Sequence, residues 1–356
     1  MNNLKVFKNS KVIVTGHTGF KGSWLTAWLK ELGADVMGIS LSPNTSPSHF
    51  VASKIGKNIK SIKLDIRNRK SLERKIATFK PDFIFHLAAQ ALVGLSFKDS
   101  PLTWESNVLG TLNILEALKK LKNKCNVVII TSDKCYFNRE THSGYKETDI
   151  LGGKDPYSAS KSSAEILVHS YVASFFSKQK LIRITTARAG NVIGGGDWSA
   201  KRLIPDCIKS LLKNKVVFLR NPNFNRPWQH VLEPIRGYLM LAKKQFQEPK
   251  KYSDAWNFGT KNNSVKSVKE IVDYIISFWG SGKIRVNREN KFHEQKNLQL
   301  DINKVKKRLK WYPTYSVKKG VQITTEWYLQ VFKNKKDPFE VTNNQIVEYM
   351  NENNWN

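Results

Sequence analysis

Six short runs of apolar and β-branched residues, with helical patterns between most of them, constrain this chain more than any other feature. The runs are Lys11–Thr15, Asp35–Leu41, Ile59–Leu64, Phe83–Leu87, Asn126–Thr131 and Leu181–Ala187. Residues Ser23–Leu32, Ser71–Phe79, Ser106–Leu121 and Tyr157–Phe176 place apolar side chains near a 3–4 spacing and read as helices. Strands joined through helices run parallel, and a parallel sheet is stable only with helices over both faces. The expected fold class is therefore α/β, a doubly wound parallel sheet. Regularity falters after Arg188, where Gly194–Asp197 reads as a loop and Arg202–Leu212 as a helix. The expected division is a sheet domain at 1–190 plus about 229–262, with a smaller mixed α/β domain at 191–228 and 263–356. The tail beyond Lys333 is expected to be loosely attached.

The first strand runs into Gly16-His17-Thr18-Gly19-Phe20-Lys21-Gly22, which opens the first helix. Glycines there permit a tight turn and let backbone N–H groups approach a pyrophosphate at a helix N-terminus. A plain strand-to-helix turn would use glycine too, but the position at the first βα junction points to a Rossmann-type dinucleotide site. Ser40 stands where an acidic ribose ligand often ends the second strand, and no arginine follows to favour a 2′-phosphate, although Lys21 could serve. Asp65, ahead of Ile66, is either a ligand of the adenine amino group or an ordinary turn aspartate. Further on, Asp155 caps a helix that begins with Pro156 and carries Tyr157 and Lys161 on one face. An ammonium beside a phenol is expected to lower the phenol's pKa, so that tyrosinate can take a hydroxyl proton while hydride leaves.

The glycine turn, His86-Leu87-Ala88-Ala89-Gln90, Asn107, and the Tyr157/Lys161 pair together resemble the extended short-chain dehydrogenase/reductase family over nearly the whole chain. Trp256-Asn257-Phe258-Gly259 and the late segment 301–313 are similar to family segments as well. Members that modify nucleotide sugars match best, through Arg226-Pro227-Trp228-Gln229-His230-Val231. The resemblance implies NAD held by Gly16, Thr18, Gly19, Phe20, Lys21, Gly22, Ser40, Asp65, Ile66, Leu87, Ala88, Ala89, Asn107, Thr131, Tyr157 and Lys161. It implies a sugar nucleotide held by Gln90, Asn191, Arg202, Arg220, Arg226 and His230, with Asn191 and Arg226 on the pyrophosphate. Arg202 and Arg220 equally suit a helix surface. Guanidinium forks match phosphate oxygens bidentately.

The fifth strand ends Thr131-Ser132-Asp133-Lys134. Family epimerases and dehydratases place a hydroxyl at Ser132 to assist Tyr157, and hexose 4,6-dehydratases follow it with an acid and a base, usually Asp then Glu. Asp133 and Lys134 depart from that pair and resemble the branch acting on CDP-glucose, as do segments 16–25, 188–198 and 226–234. The alternative for the pair is a surface ion pair at a strand end. Other readings are a 4,6-dehydratase of a GDP-, UDP- or dTDP-linked sugar, a 4-epimerase, which has no need of the acid–base pair, or an RNA-binding protein on a dehydrogenase fold. A homodimer through helices 106–121 and 157–176 is implied by resemblance alone.

Composition narrows the remainder. Lys+Arg 59 against Asp+Glu 29 gives +30. The lysines are scattered, and the dense tracts at 119–124 and 304–310 lack the interleaved aromatics of a single-strand binder, so a solvated surface is expected rather than a nucleic-acid partner. A field of this sign favours anionic substrates. No apolar run reaches the roughly 18 residues of a membrane span. Cys125, Cys135 and Cys207 lack CxxC spacing, so neither a disulfide framework nor a metal site is expected. Together with the absence of a signal-peptide pattern, this makes the reducing cytoplasm the expected location.

Overall fold

Strands β1 (Lys11–Thr15), β2 (Asp35–Ser40), β3 (Lys60–Lys63), β4 (Phe83–His86), β5 (Cys125–Ile130), β6 (Ile182–Ala189) and β7 (Ala255–Phe258) form one sheet. Their order is β7-β6-β5-β4-β1-β2-β3, and every neighbouring pair is parallel. The structure is a computed structural model describing residues 4–140, 143–261, 265–286 and 298–355. Six strands lie within two residues of their expected bounds. The seventh, β7, is only four residues long, too short to show a period of its own.

Alternate residues of each central strand enter opposite faces. Val12, Val14, Phe83, Phe85, Val128 and Ile130 join a core with α1 (Phe20–Glu31). Ile13, Ile84, Val127 and Ile129 join a second core, shared with α2 (Arg69–Phe79), α3 (Gly110–Lys120) and α4 (Pro156–Tyr171). Burial on both sides explains why the strands read as continuous apolar runs instead of alternating. Helix α3 begins later than expected because residues Glu105–Leu109 wind as a wide π turn around buried Asn107.

The second half adds α5 (Leu203–Leu212), α6 (Leu232–Gln247), α7 (Val268–Trp279), α8 (Val317–Tyr328) and α9 (Pro338–Glu352), all of which feed residues into the α1-side core. Here the reading of a loose tail is corrected. In α9, Val341, Ile346 and Tyr349 are buried, and the Tyr349 ring meets Trp28 of α1 edge-on at 5.7 Å. The Trp355 ring lies 6.1 Å from that of Trp28, and Asp337 caps α9 by accepting from the N–H groups of Phe339 and Glu340. The polar stretch 333–337 is only the link between α8 and α9. It hid a helix whose apolar face covers α1 from outside, so Ser23–Leu29 is buried on all sides.

No described helix is long and apolar enough to cross a membrane. The three cysteines are free and buried. No group of His, Cys, Asp and Glu that could hold a metal occurs among the described residues.

Ending the chain at Lys336 strips the cover from Trp28 and should lower the unfolding free energy by at least about 3–5 kcal/mol, the range for losing one large buried aromatic. Urea denaturation of the truncated chain checks this. An unchanged midpoint would restore the loosely attached tail.

Candidate active site

The chain leaves β1 toward β2 on one side and later returns to β4 on the other, which opens a crevice at the carboxyl ends of β1 and β4. Gly16 sits there with φ +75°, and a Cβ on it would lie 2.8 Å from the Ala88 nitrogen. A Cβ on Gly22 would lie 2.1 Å from the Gly16 carbonyl oxygen. The two glycines therefore let the turn, the α1 start and Leu87–Ala89 close on one another. No side chain caps α1, so its first-turn N–H groups stay available to an anion. This fits a dinucleotide pyrophosphate. Thr18 and Ser40 share a hydrogen bond of 2.8 Å, which ties the turn to the end of β2.

The crevice floor is fixed by a polar chain. Thr111 Oγ1 donates to the Asn107 carbonyl, so His86 Nε2 must donate to Thr111 Oγ1 at 3.1 Å, and His86 Nδ1 accepts from Thr15 Oγ1 at 2.7 Å. Thr15 Oγ1 in turn accepts from Ala88 N–H at 3.2 Å. Burial, with Lys161 nearby, lowers the His86 pKa to about 3, so the ring stays neutral. Asn107 clamps the next loop by accepting from Gln90 N–H and donating to the Gln90 carbonyl and Ser160 Oγ.

Beyond β5, Ser132 Oγ donates to Asp133 Oδ1 at 2.9 Å and accepts from Lys134 N–H at 3.2 Å. Helix α4 starts at the Asp155 cap, which accepts from Ser158 N–H at 3.0 Å, and so presents Tyr157 and Lys161 to the same place. Burial pushes Tyr157 up to about 12, against the lowering effect of a hydrogen bond with Ser132. The net shift is opposite to the one expected from Lys161 alone, because desolvation of the phenol dominates. Lys161 donates to the Ile130 carbonyl at 3.4 Å, and burial lowers it to about 8 while Glu165 raises it. Burial also raises the Asp133 carboxyl above its ordinary value, with Lys134, the Ser132 hydrogen bond and Lys21 opposing. The site thus holds a protonatable carboxyl, a phenol and lysines within one buried space.

Several expected ligands are placed otherwise. Lys21 points away from any 2′-phosphate: it donates to the Tyr238 hydroxyl at 3.4 Å and feels the charges of Arg202, Asp133 and Lys161. Burial is the main reason its pKa falls to about 8. Gln90 clamps its own loop, its amide bonding Leu92 and Thr103. His230 is buried edge-on to Trp24 and Tyr315. Arg220 faces Asp206 of α5. Both Asp65 oxygens accept from Arg67, while Asn113 holds the carbonyls of Ile66 and Arg67. Arg202 bonds Asp197 at 3.2 Å and lies close enough to influence Tyr157. Asn191 follows β6 after Gly190. Arg226 lies in a short strand paired with Val265–Ser267.

Sequence reasoning missed three groups. Gln229 and Thr260 line a cavity with Asp133, Gly190, Pro227 and Leu300. Glu165, one turn beyond Lys161, accepts from Thr131, from Thr186 at 2.8 Å and from Arg188 at 2.8 Å. Its i+4 spacing from Lys161 was the available signal. Tyr238 carries no signal at all in its local sequence.

Residues 13–324 match the family model described as GDP-mannose 4,6-dehydratase. The chain is 42% identical over 349 residues, 97% of each chain, to a CDP-glucose 4,6-dehydratase of Salmonella typhimurium. It is 31% identical over 276 residues to a dTDP-D-glucose 4,6-dehydratase of Dictyostelium discoideum, covering 73% of this chain and 60% of that one. Among solved structures, the dTDP-glucose 4,6-dehydratase of Bacillus anthracis in complex with NAD superposes with TM-score 0.74 at 23% identity. That match covers 92% of this chain and 100% of the other.

A raised Asp133 pKa means that the folded protein holds this proton more tightly than the unfolded chain. The group therefore favours folding more as pH falls through its raised value, until the unfolded carboxyl also protonates. Carboxyl NMR should show Asp133 titrating above the ordinary aspartate range, and Asp133→Asn should remove that signal. A midpoint at or below the ordinary range would contradict the burial argument.

Proposed function

The chain belongs to the GDP-mannose 4,6-dehydratase family, and from that premise we propose that it is a CDP-glucose 4,6-dehydratase, a hydro-lyase converting CDP-glucose to CDP-4-keto-6-deoxyglucose. The observation that carries the reading is the buried Asp133 with a raised pKa, directly beside Ser132 and the Tyr157/Lys161 pair. An epimerase needs the pair but not the acid. NAD, when bound, would supply the hydride acceptor and donor that oxidation at C4 and reduction at C6 require. The glycine turn, with Thr18, Ser40 and Ala88, would hold it.

Tyr157 takes the C4 hydroxyl proton, assisted by Ser132 and Lys161. Once C4 is a ketone, the C5 proton is acidic, and Lys134 removes it. Asp133, as its carboxylic acid, protonates the C6 oxygen, which leaves as water. Arg226, Arg202 and Asn191 serve the sugar-nucleotide pyrophosphate. The cavity draws its walls from both halves of the proposed division: Asp133, Gly190 and Thr260 come from the sheet segments, Pro227 and Leu300 from the others. The large positive charge favours such an anionic substrate.

The same reading includes a homodimer. Leu109, Ile166 and Phe175 expose apolar surface along the helical stretches 105–120 and 156–176. Ile166→Glu should shift the sedimenting species from dimer toward monomer, and a monomeric wild type would remove this part of the reading.

With CDP-glucose deuterated at C4, the label should appear at C6 of the product, and heavy water should place deuterium at C5. GDP, UDP and dTDP sugars should turn over more slowly. Tyr157→Phe should cut turnover at least about 100-fold, the usual scale for a positioned acid–base group. Label returning to C4 would mark an epimerase.

A further inference from the structure

The cavity beside Asp133 has room for about one water molecule. Two of its walls carry polar atoms that are buried and, among the described residues, unpartnered: Gln229 Oε1 and Thr260 Oγ1. Gln229 is 6% exposed and Thr260 4%. The amide orientation is fixed, because Gln229 Nε2 donates to the Phe258 carbonyl at 3.2 Å and a carbonyl can only accept. Oε1 is therefore a committed acceptor with nothing to accept. A buried polar atom left unpaired costs about 1–3 kcal/mol, and here two such atoms come from separate segments onto the cavity that holds the acid. Gly190 closes the same wall: a Cβ there would lie 3.0 Å from Asp133 Oδ2.

We propose that Gln229 and Thr260 form the seat for the water expelled from C6. This rests on the dehydratase reading. In the elimination, Lys134 takes the C5 proton, the C5–H electron pair forms the C5=C6 bond, and the C6–O bond breaks as Asp133 gives its proton to that oxygen. Lys134 ends as ammonium and Asp133 as carboxylate. The new water donates one hydrogen to Gln229 Oε1 and shares a hydrogen bond with Thr260 Oγ1. These bonds form as the oxygen departs, so they stabilise the cleavage step more than the bound sugar. A phosphate oxygen is a poor tenant, because Oε1 offers it only an acceptor.

Gln229→Met and Thr260→Val keep shape and remove the hydrogen bonds. In single-turnover quench experiments with CDP-glucose and NAD, each should slow C6–O cleavage by about tenfold, one hydrogen bond's worth, while C4 oxidation proceeds normally. Oxidised sugar still bearing its C6 hydroxyl should accumulate, and substrate recovered from heavy water should gain C5 deuterium. Thr260→Ser, which keeps the hydroxyl, should restore the rate. Normal cleavage in both variants would overturn the seat. So would a raised KM with unchanged cleavage, since the pair would then read a hydroxyl that the sugar retains. Wild-type enzyme that oxidises CDP-glucose at C4 but never cleaves C6–O would overturn the dehydratase reading, and the seat with it.

Discussion

Glu165 and Arg188 meet at 2.8 Å with side chains only 3% and 4% exposed. Taking both charges out of water is costly, and the cost is offset by hydrogen bonds to the carboxylate and to two of the three guanidinium nitrogens. Thr131 at the end of β5 and Thr186 of β6 donate to the carboxylate. The guanidinium donates to the Tyr136 hydroxyl at 2.7 Å, and that hydroxyl donates to Asn257 of β7. One ion pair therefore joins α4 to three strands at the end of the sheet where Ser132, Asp133 and Tyr157 gather. Losing either partner would leave a bare buried charge, typically about 3–5 kcal/mol, and would release Lys161, one helical turn away.

What the sequence made legible follows from how local each signal is. The strands of the sheet, the glycine turn and the Asp155–Pro156 cap are written in consecutive residues, and all appear as expected. The Asp133 pair was legible because it directly follows a strand in a recognisable family pattern. Motif membership says nothing about which way a side chain turns: Gln229 lines the cavity while its neighbour His230 packs on Trp24. Helix α9 was obscured by the polar link before it. Its partner, Trp28, lies more than three hundred residues earlier in the chain.

Burial also rearranges the acid–base chemistry in a way that composition conceals. His17, His49, His86 and His230 are all desolvated, and their pKa values fall to about 4, 3, 3 and 3. None of these four rings carries charge near neutral pH, so each serves as a neutral hydrogen-bonding or packing group. Among the groups that gather at the site, the lysines and the carboxyl shift the other way about: Lys21 and Lys161 fall toward neutrality, whereas Asp133 rises toward the protonated form. The same desolvation thus moves Lys21, Lys161 and Asp133 each away from its charged form.

Desolvation also explains why a cavity with two unsatisfied oxygens is tolerated next to that acid. Burial raises the carboxyl and keeps its proton available, but an apolar pocket would offer the expelled water no hydrogen bonds as it forms. Gln229, in a short strand, and Thr260, in a loop, supply those bonds from segments separate from the one that carries Asp133. Replacing Gln229 and Thr260 by apolar residues of the same shape would remove the two orphaned atoms and favour folding. Retaining them costs stability, and in this reading the cost is offset at the moment of bond cleavage, when an oxygen of the right size arrives.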